Sequence, residues 1–188
     1  MLEYIKNMYN GVIFPTGFMK HYYTLYSIVE GLETKNSFEF GTGISTKIII
    51  DALRITEGKH ISCDIRNVEN TGLTKEYLIE NSDIWTYIQG DSRNINFKAF
   101  DYFDFVLHDG SHVPDIVKED LNNIFPYIKN SGIILIHDTI LIPELESICK
   151  NLANQTNSEI VTLPYGYGLT ILKVNNNNEK VHPTWKKF

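Results

Sequence analysis

Phe38-Glu39-Phe40-Gly41-Thr42-Gly43-Ile44-Ser45-Thr46 carries an apolar, aromatic run straight into Gly-x-Gly, and a helix-forming segment, Thr46 to Ile55, follows at once. A strand that turns this tightly into a helix leaves the first helical N–H groups free to face a ligand. The glycines let the backbone bend and come close to that ligand, and the helix start adds amide donors and a partial positive charge. In an open α/β sheet such a ligand lies at the carboxyl ends of the strands.

Outward from this turn, strand-like and helix-like segments alternate. Strands are expected at Ser37–Phe40, His60–Asp64, Ile84–Gln89, Phe103–His108 and Ile133–His137. Helices are expected at Thr46–Ile55, Thr74–Glu80, Pro114–Ile128 and Pro143–Ala153, with a short piece around Asn94–Phe100. In the Pro114 helix, Val113, Ile116, Val117, Leu121, Ile124, Phe125 and Ile128 make one face, and Ser111 is a nearby cap. Such alternation implies parallel βαβ units. The end of the chain breaks it. Glu159–Leu163 and Leu169–Val174 are both strand-like, and the link Pro164-Tyr165-Gly166-Tyr167-Gly168 is too short for a crossover helix. These two strands must run antiparallel, giving a mainly parallel sheet with one reversed strand. Upstream, Gly11 to Thr16 reads as a loop, and Phe18, Tyr22, Leu25, Val29 and Leu32 form a helical stripe. The expected organisation is an N-terminal helical segment over residues 1–35, one domain over 36–175, and a tail over 176–188 that begins in the Asn175–Asn178 linker.

The 188 residues suffice for one domain with an ample core. A net charge of −6, with Lys186-Lys187 as the longest basic run, argues against nucleic acid and anionic membranes as partners. No apolar run reaches the length of a membrane span, and MLEYIKNMYNG lacks a signal peptide's apolar region. Two cysteines, Cys63 and Cys149, are too few for a disulfide framework and are expected as buried thiols, so the expected location is the cytoplasm.

Polar residues end all five expected parallel strands on one edge. Asp64 closes Ile61-Ser62-Cys63-Asp64, about 20 residues past Gly41, where an acid can accept from ribose hydroxyls. Gly90-Asp91-Ser92 ends the next strand; Asp91 can accept from an exocyclic amine of adenine with Ser92 beside it, or can cap the following turn. His108-Asp109-Gly110-Ser111-His112 and His137-Asp138-Thr139 end two adjacent strands. They bring Asp109, His137 and Asp138 together, a set that needs a cation or hydrogen bonds to offset repulsion. Oxygen-rich ligands suit Mg²⁺ or Mn²⁺, and an imidazole tilts the choice toward Mn²⁺, Fe²⁺ or Zn²⁺. The alternative is that each Asp caps a helix and each His packs at the rim.

In order along the chain, Glu39-Phe40-Gly41-Thr42-Gly43-Ile44-Ser45, Cys63-Asp64, Gly90-Asp91-Ser92, Val106 to His112 and Ile136-His137-Asp138-Thr139 resemble the motifs of class I S-adenosylmethionine-dependent methyltransferases. Within them the chain is similar to a small bacterial branch with Asp-Gly-Ser-His and His-Asp-Thr segments. That branch is related to catechol-type and macrolide-sugar O-methyltransferases and to cephalosporin-hydroxylase-like proteins. The resemblance runs from about Phe38 to Val174. It implies a doubly wound, Rossmann-like α/β fold: a seven-stranded, mainly parallel sheet with an antiparallel last strand. It also implies that the segment holding Glu39, Gly41, Thr42, Gly43 and Ser45 faces the methionine part of S-adenosylmethionine, that Asp64 holds the ribose, and that Asp91 and Ser92 face adenine. Catechol-type relatives bind a divalent metal through an Asp after the fourth strand and an Asp-Asn pair after the fifth. Asp109 and Asp138 match the acids; Thr139 stands where Asn is expected, and His137 is the substitute ligand.

The activity implied is O-methylation of a small molecule or sugar hydroxyl, assisted by Mg²⁺ or Mn²⁺ at Asp109, with His112 as candidate general base because histidine titrates near neutral pH. Two alternatives use the same sheet. One is a nicotinamide-dependent oxidoreductase, disfavoured because Thr46 stands where the dinucleotide fingerprint has its third glycine. The other is a binding module without turnover. The aromatic stretch from Phe14 to Tyr26, with Tyr22 and Tyr23, either walls an acceptor pocket or packs against the sheet or a second copy of the chain.

Overall fold

The computed structural model describes residues 17–175. The expected Gly11–Thr16 loop and the 176–188 tail lie outside them, as do most of the Asn175–Asn178 linker and Phe14. Seven strands form one sheet: β1 (Asn36–Phe40), β2 (Lys59–Asp64), β3 (Trp85–Gln89), β4 (Phe103–His108), β5 (Ile128–His137), β6 (Glu159–Leu163) and β7 (Leu169–Lys173). Their order is β3-β2-β1-β4-β5-β7-β6. β7 runs antiparallel to both β5 and β6, and the other pairings are parallel. The short Pro164–Gly168 link therefore folds β7 back between β5 and β6, the one reversed strand expected.

Helices α1 (Tyr22–Gly31), α2 (Ile44–Thr56), α3 (Lys75–Glu80), α4 (Pro114–Ile124) and α5 (Pro143–Thr156) complete the order. None among the described residues is long and apolar enough to cross a membrane. Strand side chains alternate between two cores. Phe105, Leu107 and Leu135 pack against Tyr22, Leu25, Tyr26 and Val29 of α1 and against Ile48, Ile49 and Leu53 of α2. Phe38, Phe40, Val106, Ile134 and Ile136 pack on the other face against Val117 and Leu121 of α4 and Leu145, Cys149 and Leu152 of α5. The sheet is thus covered on both sides, as a parallel sheet must be. Cys63 and Cys149 are buried free thiols, and burial pushes both up to about 12.

Four local expectations are corrected. α4 stops at Ile124, and Phe125–Tyr127 forms a 3-10 turn, because Pro126 has no N–H for the next helical bond. Ile128, expected on the helix, instead begins β5, five residues earlier than expected. The piece around Asn94–Phe100 resolves into two 3-10 turns, Ser92–Asn94 and Phe97–Ala99. Val113, expected on the apolar face of α4, is 52% exposed; it occupies the N-cap position, and its N–H donates to Ser111 Oγ at 3.2 Å.

Parallel register sets the functional rim. Phe40 pairs with Cys63 and with His108, Asp64 with Gln89, and His108 with Ile136. All five strand tips therefore lie on one edge of the sheet. The order reverses between β1 and β4, the switch point at which open α/β sheets form a crevice.

Candidate active site

At the switch point the two backbones nearly touch. Gly41 has φ +87°, and a Cβ there would lie 2.7 Å from Asp109 O and from Gly110 Cα. A Cβ on Gly110 would lie 2.9 Å from Gly41 N. Gly41 is therefore required by the neighbouring strand tip, not only by a ligand. Gly43 differs: a Cβ there would meet nothing nearer than Thr71 O at 3.8 Å. The chain's own packing makes no demand for glycine at 43, and the space beside it lies at the open start of α2.

The remaining motif residues divide by direction. Glu39 lies opposite Phe38 and Phe40 and is fully buried toward α2. Its carboxylate accepts from the hydroxyls of Ser45 and Thr46, the latter at 2.6 Å, and lies 3.2 Å from His60 Nε2. Glu39 and Ser45, both expected to face the cofactor, thus spend these polar atoms on each other and secure the start of α2. The Thr42 hydroxyl donates to Ser62 at 2.9 Å, and its N–H donates to Asp64 Oδ2 at 3.0 Å. The Asp64 carboxylate is also held by Arg66 through the backbone N–H, Nε and a terminal nitrogen. Burial opposes ionisation of Asp64, but the Arg66 hydrogen bonds outweigh it and hold the carboxyl below its ordinary range. Asp91 caps the Ser92–Asn94 turn and is gripped by Arg93, which lowers it to about 2.

The fourth and fifth tips converge. His137 Nδ1 lies 3.0 Å from Asp109 Oδ1 and 3.3 Å from Asp138 Oδ1. One ligand-type atom from each of these three residues falls within 4.8 Å of the others. His137 Nε2 lies 2.7 Å from Gly166 O, in the link between β6 and β7. A carbonyl can only accept, so Nε2 carries a proton and Nδ1 is the atom turned to the two acids. This donor set of two carboxylates and one imidazole nitrogen fits a divalent cation. Without a cation a proton fills the same role. Burial alone would lower the His137 pKa, but Asp109 and Asp138 outweigh it and raise it to about 9. Asp138 has φ +59° and a second oxygen, Oδ2, 2.7 Å from His112 Nε2. Burial works against its charge, yet His137 and then His112 pull its pKa down. His112 itself is 59% exposed and faces solvent.

Two neighbours are excluded from this cluster. His108 points to the α4 face, buried, with Nε2 3.1 Å from Asp120 Oδ2. Thr139, at the position of the expected Asn ligand, is fully buried and accepts from Thr170 Oγ1 at 2.9 Å. The N-terminal segment also reaches the site. Phe18 lies edge-on to His137 with ring centroids 4.9 Å apart, and His21 Nε2 donates to Tyr165 O across 3.0 Å while the ring stacks on that of Tyr165. Tyr22 and Tyr26 pack beneath the sheet, whereas Tyr23 is partly exposed. The Phe14–Tyr26 stretch pointed to Phe18 and His21, and the His108–His112 motif to Gly110, but not to these contacts. Arg66 and the Gly166 carbonyl were not expected at the site, and the sign for Arg66 is the repeated Asp-x-Arg at 64–66 and 91–93.

A cavity of about 400 Å³ lies beside β3, lined by residues including Asn67, Val68, Lys75 and Tyr87, and holds none of the expected site residues. The expected site residues lie instead along the rim, from Asp91 past Asp64, Thr42 and Gly41 to Asp109, His137, Asp138 and His112.

A family model described as a methyltransferase domain matches residues 38–139, more than half of the chain. No curated protein sequence matches it. Among solved structures, a candidate caffeoyl-CoA O-methyltransferase from Staphylococcus aureus is similar with a TM-score of 0.72 at 14% identity, over 92% of this chain and 91% of the other. The SAH-bound methyltransferase PaMTH1 from Podospora anserina has a TM-score of 0.68 at 15% identity, over 93% and 86%. The mycinamycin-pathway methyltransferase MycE, in complex with Mg and SAH, has a TM-score of 0.59 at 20% identity, over 89% of this chain and 52% of MycE. At these identities the shared property is the class I methyltransferase fold. The family match goes against the nicotinamide alternative.

Proposed function

The chain belongs to the methyltransferase-domain family, and from that premise we infer that it moves a methyl group from S-adenosylmethionine to a hydroxyl of a small molecule or sugar. The observation that carries this reading is the His112–Asp138 contact of 2.7 Å, on the same rim as the Gly41–Gly43 turn. A solvent-facing imidazole oriented by a carboxylate on this rim supports a base beside the crevice that would hold the methyl donor.

When bound, S-adenosylmethionine supplies an electrophilic methyl carbon, and a divalent cation supplies Lewis acidity to an acceptor oxygen. Asp109, His137 through Nδ1 and Asp138 through Oδ1 would hold the cation. Asp64 and Asp91 offer carboxylates to the nucleoside, and Gly43 leaves room for it at the start of α2. Methyl transfer is an in-line displacement in which positioning supplies much of the rate. His112 takes the hydroxyl proton of the acceptor on Nδ1, the ring nitrogen turned away from Asp138, directly or through water. Asp138 Oδ2 orients that ring and stabilises the imidazolium that forms, as a carboxylate does in triad chemistry. Val113 beside His112 in the chain, Ile140 and Leu141 just past Asp138, and Tyr165 and Tyr167 flanking Gly166 leave apolar surface exposed, which suits a sugar face or a phenol. S-adenosylmethionine, a small hydroxyl acceptor and a Mg²⁺ or Mn²⁺ ion are thus the proposed ligands, and a cytoplasmic setting is the proposed location.

Thermal-shift measurements with S-adenosylhomocysteine and with NADH test the assignment, followed by methyl transfer from labelled S-adenosylmethionine to a panel of phenols and sugars with Mg²⁺ or Mn²⁺. Stabilisation by S-adenosylhomocysteine alone is expected. Stabilisation by NADH alone would overturn the reading.

A further inference from the structure

The carboxylate of Asp64 has no acceptor capacity left. Oδ1 accepts from the Arg66 backbone N–H and from Arg66 Nε, both at 2.9 Å. Oδ2 accepts from the Thr42 N–H at 3.0 Å and from a terminal Arg66 nitrogen at 2.6 Å. A carboxylate offers about four lone-pair sites, and all four are taken. Asp64 is itself only 8% exposed. An unpaired carboxylate at this depth would carry a substantial desolvation cost.

The four donors are of two kinds. The Thr42 and Arg66 amides are fixed by the backbone at the ends of β1 and β2. The guanidinium is attached to a side chain that is 50% exposed, with further bonds, among the described residues, to the carbonyls of Thr42 at 3.2 Å and Asn70 at 3.3 Å. It places two adjacent N–H donors on the two different oxygens of one carboxylate. A vicinal diol offers two adjacent O–H donors and makes the same demand. Removing the guanidinium frees two acceptor sites while both amides stay in place.

We propose that Arg66 is a positioning residue that stands in for the ribose diol: it completes the coordination of Asp64 when the rim is empty and is displaced from it when a nucleoside with free 2′ and 3′ hydroxyls binds. The proposal rests on the methyltransferase reading, because that reading brings a ribose to Asp64. The bookkeeping is even, two N–H donors leaving and two O–H donors arriving. Asp64 therefore stays satisfied and oriented in both states. The cost is that every binding event must break a charge-assisted pair. Arg66 lowers the affinity for the nucleoside in return for keeping the acid ordered without it. The same spacing recurs at Asp91 and Arg93, where Arg93 Nε lies 2.9 Å from Oδ1. There the carboxylate is more exposed, so the pair is weaker and the exchange costs less.

Calorimetric titration of S-adenosylhomocysteine into the wild-type chain and into Arg66→Met tests this. Methionine keeps much of the apolar stem and removes both donors. The expected result is binding about tenfold tighter to Arg66→Met, with a lower melting temperature for the free variant and a larger stabilisation by ligand. Damage to the fold would weaken binding, so a gain cannot come from a structural role alone. Arg66→Lys, which retains the charge, is expected to fall between the two. A second readout uses only the wild type: the Arg66 Nε–H resonance should move when S-adenosylhomocysteine is added. Equal or weaker binding by both variants, or an unmoved Nε–H resonance at saturation, overturns the role of Arg66 while wild-type binding upholds the cofactor assignment. A wild-type chain that binds no S-adenosylhomocysteine overturns both.

Discussion

His112 Nε2 sits 2.7 Å from Asp138 Oδ2, while the other oxygen of that carboxylate faces His137. One side chain thus serves two imidazoles, one exposed and one buried. If His112 is the base, His112→Gln should lower kcat by about 10²-fold or more and leave the Kd for S-adenosylhomocysteine unchanged. Initial rates at saturating donor, paired with calorimetry, check this; a variant with normal kcat would move the base elsewhere.

The two glycines of the opening motif are needed for different reasons. Gly41→Ala puts a Cβ 2.7 Å from the Asp109–Gly110 backbone at a φ of +87°. It should cost about 2 kcal/mol or more in stability, roughly 4–8 °C in Tm. Gly43→Ala meets no protein atom within 3.5 Å, so its Tm should stay near wild type while affinity for S-adenosylhomocysteine falls. Differential scanning calorimetry and ligand titration separate the two; equal losses of stability would contradict the assignment.

If Asp109, His137 and Asp138 hold a cation, activity should depend on metal in a way that is separable from cofactor binding. Asp109→Asn removes one of three ligand-type groups. It should abolish stimulation by Mn²⁺ or Mg²⁺ and change the S-adenosylhomocysteine Kd by less than about threefold. Measuring both on one preparation decides the matter. A comparable loss of cofactor affinity would show that Asp109 belongs to the cofactor pocket.

Stability should depend on pH through His137. Its folded pKa of about 9 lies above the ordinary histidine value of about 6.5. A raised pKa means that the folded state holds the proton more tightly than the unfolded state. The contribution is full below about pH 6.5 and is lost as pH rises through about 9. Urea unfolding without divalent cation should therefore show stability falling between those limits, and His137→Gln should flatten the profile. A wild-type profile as flat as that of the variant would contradict the pairing with Asp109 and Asp138.

The topology was legible because it rests on chain length and periodicity. Five residues between Leu163 and Leu169 admit a hairpin and no crossover, which fixed the direction of β7. Parallel register then forced the polar tips onto one edge. Directions about each tip were less legible. Alternation alone would have sent Glu39 toward α2, away from the face of Phe38 and Phe40, yet its motif position suggested a ligand. Likewise His108 and Asp109 are adjacent but face different layers. The end of α4 was written in Pro126, which the apolar stripe through Ile128 obscured. What could not be read were contacts between distant parts of the chain, such as His21 with Tyr165 and His137 with Gly166. No local pattern encodes these.

The reversed strand has a consequence for how the molecule is made. β7 slots between β5 and β6, and the carbonyl that fixes the His137 ring arrives with the link just before it. During synthesis the ribosome delivers strands β1 to β5, with Asp109 and Asp138, before it delivers Gly166. The nascent chain therefore carries its acids with one flank of β5 bare and the imidazole unanchored. The hydrogen bond that orients the His137 ring thus depends on the same link that turns the chain into the reversed strand.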